Sequence, residues 1–121
     1  MARTRHPDFR FSEMLVPSDR FDTIVLLAVI EHLPSPGKVL RELRDVLNIN
    51  GRILLTTPHP LVAGVHHLGA RIGLFSLEAN HQHQSLLSYQ SMKLLVQSVD
   101  MQIEKYRHFL AGANQLFVLR K

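Results

Sequence analysis

The pattern of apolar positions divides the chain into buried strands and amphipathic helices. Thr23 to Ile30 is an unbroken run of β-branched and aliphatic residues without polar alternation. Such a run is typical of a strand covered on both faces, as in parallel sheets. We predict a strand over Asp22–Leu27 and a second buried strand over Arg52–Thr57. Between them, in residues 36–47, leucines and valines recur at a helical period on one face, and the charged residues lie elsewhere.

Local signals define the ends of this first helix. Ser35 is a suitable N-cap and Pro36 suits the first helical position. Asn50–Gly51 predicts a left-handed residue that stops the helix before the second strand.

The second half of the chain predicts one more helix and a hairpin. Ser88 is a candidate N-cap for a helix with an apolar face, and two strands, Gln102–Phe109 and Gln115–Leu119, follow with Gly112 in the turn. The apolar face consists of Met92, Leu95, Val96 and Val99. The element order is therefore strand, helix, strand, lid-like insertion, helix, strand, strand, which predicts an α/β fold.

Two segments have weaker patterns. Residues 1–20 predict an entry loop or the remnant of a preceding strand near Phe9–Phe11, and residues 61–84 predict a lid-like insertion. An apolar stripe at helical spacing begins this insertion, interrupted by glycines. Core packing, a lid over a hydrophobic acceptor and an interfacial membrane helix all fit the stripe, in that order of preference. Its residues are Leu61, Val65, Leu68, Ile72 and Phe75.

Composition narrows the class of protein. The 121 residues allow one small domain, and 45% hydrophobic with 20% charged residues describes an ordinary folded composition. The absence of cysteine excludes disulfides, thiolate zinc sites and cysteine nucleophiles, and it fits a cytoplasmic location. No apolar run approaches the ~20 residues of a membrane span. The formal charge of +4 is partly set by Arg3, Arg5 and Arg10, which we interpret as a solvated tail rather than a site for RNA or anionic lipid.

Titratable residues follow both predicted strands. In open parallel sheets, binding sites lie beyond the carboxyl ends of the strands. Glu31 and His32 follow the first strand and His59 follows the second, so His32 and His59 are candidate bases. Each also has a structural interpretation. Glu31 would stabilise a helix terminus, His32 would pack against the loop, and His59 would be a turn histidine.

The eight histidines do not predict a metal site. His66 and His67 are adjacent and would point apart on a helix, while His81 and His83 lack a cysteine or a well-spaced carboxylate to complete a ligand set. We therefore expect no bound metal.

Several segments together resemble the carboxyl-terminal half of the class I S-adenosylmethionine-dependent methyltransferases, particularly the small-molecule group called type 11. The resemblance covers about residues 19–121, and the order of the segments makes it specific. They are FD and EH at Phe21–Asp22 and Glu31–His32, then VLRELRDVLNINGRILLTTP, MQIEKYRHFL and NQLFVLRK. It implies a partial Rossmann-like sheet, mostly parallel with an antiparallel terminal hairpin, formed by residues 21–121.

The resemblance also implies a cofactor and a site. S-adenosylmethionine would lie with its methionine portion beside Leu26, Leu27 and Ala28. Glu31 and His32 would follow, facing the cofactor or a small-molecule methyl acceptor. The acceptor and its reacting atom do not follow from these residues.

Two features of the resembled family have no counterpart in this sequence. The glycine-rich G-x-G-x-G turn is missing, because no two of the six glycines are separated by a single residue, and so is the acidic residue that binds the ribose. Both would lie upstream of Met1, which predicts a fragment that is inactive alone. Asp100 stands where the family usually has a helix-ending glycine, which should weaken that cap.

The missing strand has a physical consequence. The Asp22–Leu27 strand would be interior in the complete family fold, so alone it would expose a bare apolar edge. We predict dimerisation or pairing with a complementing chain along it. A non-catalytic relic or partner subunit is the alternative function. A basic nucleic-acid-binding domain is weaker, because the basic residues are dispersed and no aromatic platform is evident.

Overall fold

The described residues form one four-stranded sheet with helices packed on one face. The structure is a computed structural model that describes Arg5, His6, residues 8–62 and residues 87–121. A 3-10 turn, Ile30–His32, follows the first strand. The strands and helices of the described residues are β1 (Phe21–Leu27), α1 (Pro36–Asp45), β2 (Leu47–Pro58), α2 (Tyr89–Ser98), β3 (Gln102–Phe109) and β4 (Asn114–Arg120). The predicted order of the strands and helices is confirmed.

The strand order across the sheet is β1-β2-β4-β3. β1 runs parallel to β2, whereas β4 runs antiparallel to both β2 and β3. β1, β2 and β3 therefore end at the same edge of the sheet, which we call the carboxyl edge. The predicted α/β class with an antiparallel terminal hairpin is confirmed.

The core lies between the sheet and the two helices. Alternate residues of β2 and β4 face the helices and are fully buried, as in Ile53, Leu55 and Phe117. Leu40 of α1 and Met92 of α2 pack against them and are also fully buried. This alternation is what a sheet with one covered face produces.

The opposite face of the sheet is open at β1. Val25 and Leu27 are 53% and 65% exposed, whereas Ile24 and Leu26 pack against the core. The expectation that this strand is covered on both faces was therefore wrong. Among the described strands β1 pairs with β2 alone, so one backbone edge and one apolar face of β1 are left unpaired, as predicted for a strand without its neighbour.

The junction between α1 and β2 differs from the sequence prediction. The helix ends at Asp45 and β2 begins at Leu47, so Asn50–Gly51 lies inside the strand and is not a left-handed stop. Gly51 is required by packing: a Cβ there would lie 2.9 Å from the Asn48 carbonyl oxygen and from the Leu47 side chain, and 3.1 Å from the carbonyl oxygen of Phe21. Absence of a side chain therefore avoids clashes within β2 and also lets β2 approach the start of β1.

The caps of the two helices differ. Ser88 accepts a hydrogen bond from the Ser91 amide at 3.2 Å, which confirms the predicted N-cap of α2. Ser35 precedes α1 without a side-chain cap bond, although Pro36 occupies the first turn as predicted. After α2, Asp100 adopts a left-handed conformation with φ of 55°. This is the position at which glycine is the usual residue.

The β3–β4 turn contains three consecutive residues with positive φ. These are Leu110 at 51°, Ala111 at 52° and Gly112 at 85°. Only Gly112 adopts such a φ without steric cost. Gly112 lies in the turn as predicted, while the strain at Leu110 and Ala111 has no sequence signal.

The remaining predictions concern the less regular segments. Residues 8–20 form turns and irregular backbone, with no regular strand at Phe9–Phe11. Most of the lid-like insertion, residues 63–84, lies outside the described residues, so its stripe stays a prediction. None of the described helices has the length and apolar character needed to cross a membrane.

Candidate active site

The end of β1 brings strained and exposed residues to the carboxyl edge. Ala28 has a φ of 52°, a left-handed conformation that costs a non-glycine residue about 1–2 kcal/mol. Its amide donates to the Thr56 carbonyl oxygen at 3.1 Å, which joins it to β2. Leu27 is exposed beside it, whereas Leu26 packs against the core. An exposed apolar side chain and a strained turn thus lie together where the cofactor was predicted.

Glu31 is buried in the turn that follows. It is only 3% exposed, and its Oε2 has no hydrogen-bond partner among the described residues. Its Oε1 lies 4.0 Å from Nε2 of His32, whose side chain is 40% exposed. A buried carboxylate oxygen without a partner is costly to leave unsatisfied, so a polar hydrogen brought by a ligand would stabilise it.

His59 lies at the end of β2 and is held by two hydrogen bonds. Its amide donates to the Ala113 carbonyl oxygen at 2.9 Å, and its Nδ1 accepts from the Leu61 amide at 3.2 Å. In the described part of the chain, no hydrogen bond or ring contact joins His59 to His32. The two predicted bases follow neighbouring strands, β1 and β2, without direct contact among the described residues.

The ring of His59 packs against a histidine that the sequence analysis did not select. The centroids of His59 and His108 are 5.0 Å apart, with the ring planes 47° apart. Nε2 of His108 lies 2.8 Å from the Tyr106 hydroxyl. His108 and Tyr106 are two residues apart on β3, so both project from the same face of the sheet.

A buried glutamine anchors this pair to the core. Gln115 is fully buried at the start of β4, and its Oε1 accepts from the Tyr106 hydroxyl at 2.8 Å. Its Nε2 donates to the carbonyl oxygens of Leu87 at 2.8 Å and Pro58 at 3.2 Å. We call Gln115, Tyr106 and His108 the polar relay. Every polar atom of the Gln115 side chain is bonded, as burial requires.

Burial also affects the tyrosine of the relay. Tyr106 packs between the rings of Tyr89 and Phe117, with centroid distances of 4.8 Å to each. Removal from water raises the pKa of the Tyr106 hydroxyl, and the nearby Tyr89 raises it further. Tyr106 therefore remains a neutral hydroxyl throughout the physiological range.

One sequence signal could have identified the relay. Gln115 alternates with Phe117 and Leu119 along β4 and so occupies a core-facing position. A polar residue at such a position needs hydrogen-bond partners. Here they are Pro58 of β2, Tyr106 of β3 and Leu87, which precedes α2.

The described residues contain no group of three or more histidine, cysteine, aspartate or glutamate side chains placed to hold a metal ion. His66, His67, His81 and His83 lie outside the described residues.

A family model described as a methyltransferase domain matches residues 2–106 of the chain. The chain belongs to this methyltransferase domain family. No curated protein sequence matches it.

Solved structures share the fold. The mitomycin 7-O-methyltransferase MmcR is similar with a TM-score of 0.66 and 15% identity, over 85% of this chain and 30% of MmcR. LepI in complex with SAM is similar with a TM-score of 0.65 and 13% identity, over 87% of this chain and 27% of LepI. A third similar structure is magnesium protoporphyrin IX methyltransferase (ChlM) from Synechocystis PCC 6803, solved with bound SAH. Its TM-score is 0.56 and its identity 16%, over 86% of this chain and 47% of ChlM.

The chain therefore spans between about a quarter and a half of the length of these solved structures. At such low identity the similarity concerns the fold. A structure described as a pericyclic reaction enzyme matches equally well, with a TM-score of 0.65. The fold alone does not specify the reaction, which must be argued from the site.

Proposed function

We propose that the chain forms the carboxyl-terminal half of an S-adenosylmethionine-dependent methyltransferase with a small-molecule acceptor. The observation that carries the proposal is the β1-β2-β4-β3 sheet of a methyltransferase-domain chain, in which no described strand pairs with the outer side of β1. Such an edge would accept the strands that carry the glycine-rich turn.

The carboxyl edge fits one wall of a cofactor site. Leu27 and Ala28 provide exposed apolar and backbone surface at the end of β1, and Leu26 supports them from the core. The unpartnered Oε2 of Glu31 provides an acceptor for a polar hydrogen of the cofactor. When bound, S-adenosylmethionine would supply a methyl group on a sulfonium, and two solved structures of the same fold contain SAM or SAH.

The protein's part in such a reaction is to align the acceptor and exclude water. A base is required when the acceptor must lose a proton. His32, whose side chain is partly exposed beside Glu31, and His59 at the end of β2 are the predicted groups on this edge.

The open β1 edge also favours a second function. A non-catalytic subunit would use the same edge to complete or cover a methyltransferase sheet in another chain, or to form a dimer. The exposed Val25 and Leu27 side chains would be buried in either assembly. For either function, the sequence contains no G-x-G-x-G turn, so we propose that the chain is inactive alone and acts in the cytoplasm.

Calorimetric titration with S-adenosylmethionine tests the proposal. We expect no tight binding by the chain alone, and submillimolar binding would contradict the proposed half-site. Translation of the DNA upstream of Met1 should reveal a strand followed by G-x-G-x-G if the chain is part of a complete enzyme. Absence of that motif would favour the partner subunit.

A matched pair of variants tests the β1 wall in the complete assembly. Leu27→Arg should weaken cofactor binding about tenfold or more, because a charged side chain would replace apolar contact surface. Ile49→Arg is the control, since Ile49 is 87% exposed near the other end of β2. Equal affinity in the two variants would show that Leu27 does not line the site.

A further inference from the structure

We propose that His108 accepts a hydrogen bond, and then the proton, from a hydroxyl group on an apolar or aromatic small molecule, while His59 donates to the same hydroxyl. The inference rests on the proposed function in one respect, that this hydroxyl compound is the methyl acceptor. The donor or acceptor character of each ring follows from its hydrogen bonds and does not depend on that function.

The orientation of the Gln115 amide is the first step. Its nitrogen lies within bonding distance of two carbonyl oxygens, those of Leu87 and Pro58. Carbonyl oxygens only accept, so both must receive the NH2 group, and Oε1 must face Tyr106. The opposite orientation would place three oxygens together in a buried space.

The amide orientation determines the direction of the remaining relay bonds. Because Oε1 of Gln115 has no hydrogen, the Tyr106 hydroxyl must donate to it. That hydroxyl has one proton, so towards His108 it can only accept. Nε2 of His108 therefore carries the hydrogen in the 2.8 Å contact, and the neutral ring has its lone pair on Nδ1.

The free lone pair makes His108 a proton acceptor. Nδ1 has no hydrogen-bond partner among the residues that the structure describes. Transfer of a hydroxyl proton to it breaks an O–H bond and forms an N–H bond, and the electron pair stays on the oxygen. The resulting imidazolium keeps its Nε2 hydrogen bond to Tyr106, so protonation disrupts no bond of the relay.

His59 has the complementary character. Its Nδ1 already accepts from the Leu61 amide, so the neutral ring carries its hydrogen on Nε2 and is a donor. A hydroxyl is both donor and acceptor. The ring centroids lie 5.0 Å apart, so we place one ligand hydroxyl between the two rings as the group that both would bond.

The surroundings indicate the rest of the ligand. An exposed apolar side chain follows each histidine by two residues, Leu61 at 77% and Leu110 at 67% exposure. Leu110 and Ala111 also hold left-handed conformations that asparagine or glycine would adopt more easily. A strained turn that displays leucine next to His108 favours a hydroxyl on an apolar framework, such as a phenol.

The tautomer can be tested spectroscopically on the full chain. Histidine labelled with the heavy nitrogen isotope should show His108 with its proton on Nε2, protected from exchange by the bond to Tyr106. Tyr106→Phe should abolish this protection. Tyr89→Phe is the control, because it removes a hydroxyl from the same ring cluster that has no hydrogen bond within the described residues. A proton on Nδ1, or protection that survives Tyr106→Phe, would overturn the inference.

Ligand binding is tested with phenol as the probe. Phenol should shift the Nδ1 signal of His108, and His108→Gln should weaken binding about three- to tenfold, the equivalent of one hydrogen bond. The glutamine side chain keeps a donor for the Tyr106 hydroxyl, so thermal unfolding of the His108→Gln variant should match that of the wild type. A phenol titration that leaves the Nδ1 signal unchanged refutes the site. These readouts involve no methyl transfer, so they are independent of the proposed function, which absence of methyltransferase activity in the complete assembly would refute separately.

Discussion

Replacement of Gln115 by methionine should destabilise the domain by about 2 kcal/mol. Gln115 makes three side-chain hydrogen bonds, to Tyr106, Leu87 and Pro58, from a fully buried position. Each contributes about 1 kcal/mol net, and methionine has a similar length but none of the polar atoms. The more favourable burial of methionine offsets about 1 kcal/mol of the roughly 3 kcal/mol lost.

Urea unfolding followed by circular dichroism measures this difference in the free energy of unfolding. In a thermal unfolding experiment, the same 2 kcal/mol should lower the melting temperature of a domain of this size by about 8 °C. Gln97→Met is the matched control, because Gln97 is exposed on α2 and its replacement should change the free energy of unfolding by less than about 0.5 kcal/mol. Equal stabilities of the two variants would show that the relay does not stabilise the fold.

Three further predictions concern other elements. Asp100→Gly should raise the free energy of unfolding by about 1 kcal/mol in urea, because it removes left-handed strain and a negative charge from the end of α2; a loss of stability would contradict this. The Arg52 guanidinium, through its hydrogen bond, holds the pKa of Glu104 below its usual 4.5, so this pair should stabilise the fold fully above about pH 4.5 and progressively less as pH falls below it. Urea midpoints between neutral pH and about pH 3 should therefore fall more for wild type than for Glu104→Gln, and parallel curves would refute the pairing. Glu31→Gln should stabilise the chain alone by about 1 kcal/mol, since it neutralises a buried carboxylate with an unpartnered oxygen, yet weaken cofactor binding by the complete assembly in calorimetry; unchanged affinity would make Glu31 purely structural.

The regular elements could be predicted because their signals are local. The Thr23–Ile30 run, the Ser88 cap and the Gly112 turn each depend on a few neighbouring residues, and each corresponds to an element of the structure. The resemblance supplied the order of these elements. The exposed edge of β1 could be predicted because the sequence has no counterpart of the strand that pairs with β1 in the family fold.

The errors and omissions come from contacts that the residue types alone do not specify. Asn50–Gly51 has the composition of a helix stop, but Gly51 is required inside β2, where a Cβ would clash with the Asn48 carbonyl oxygen and the Leu47 side chain and also approach the Phe21 carbonyl oxygen. The polar relay joins Gln115 to Tyr106 and to Pro58, which is far away in sequence. Its existence depends on the register between strands, which no local pattern specifies.

The Gln115 amide has a consequence for how the domain tolerates sequence change. Its two bonds reach Pro58, before the insertion, and Leu87, after it. One side chain therefore joins the end of β2 to the residues that lead into α2. Because the entropy of closing a loop changes slowly with its length, segments of different length can be exchanged between these points at little cost. We therefore expect segments of different length to be tolerated between Pro58 and Leu87, because Gln115 bonds to both.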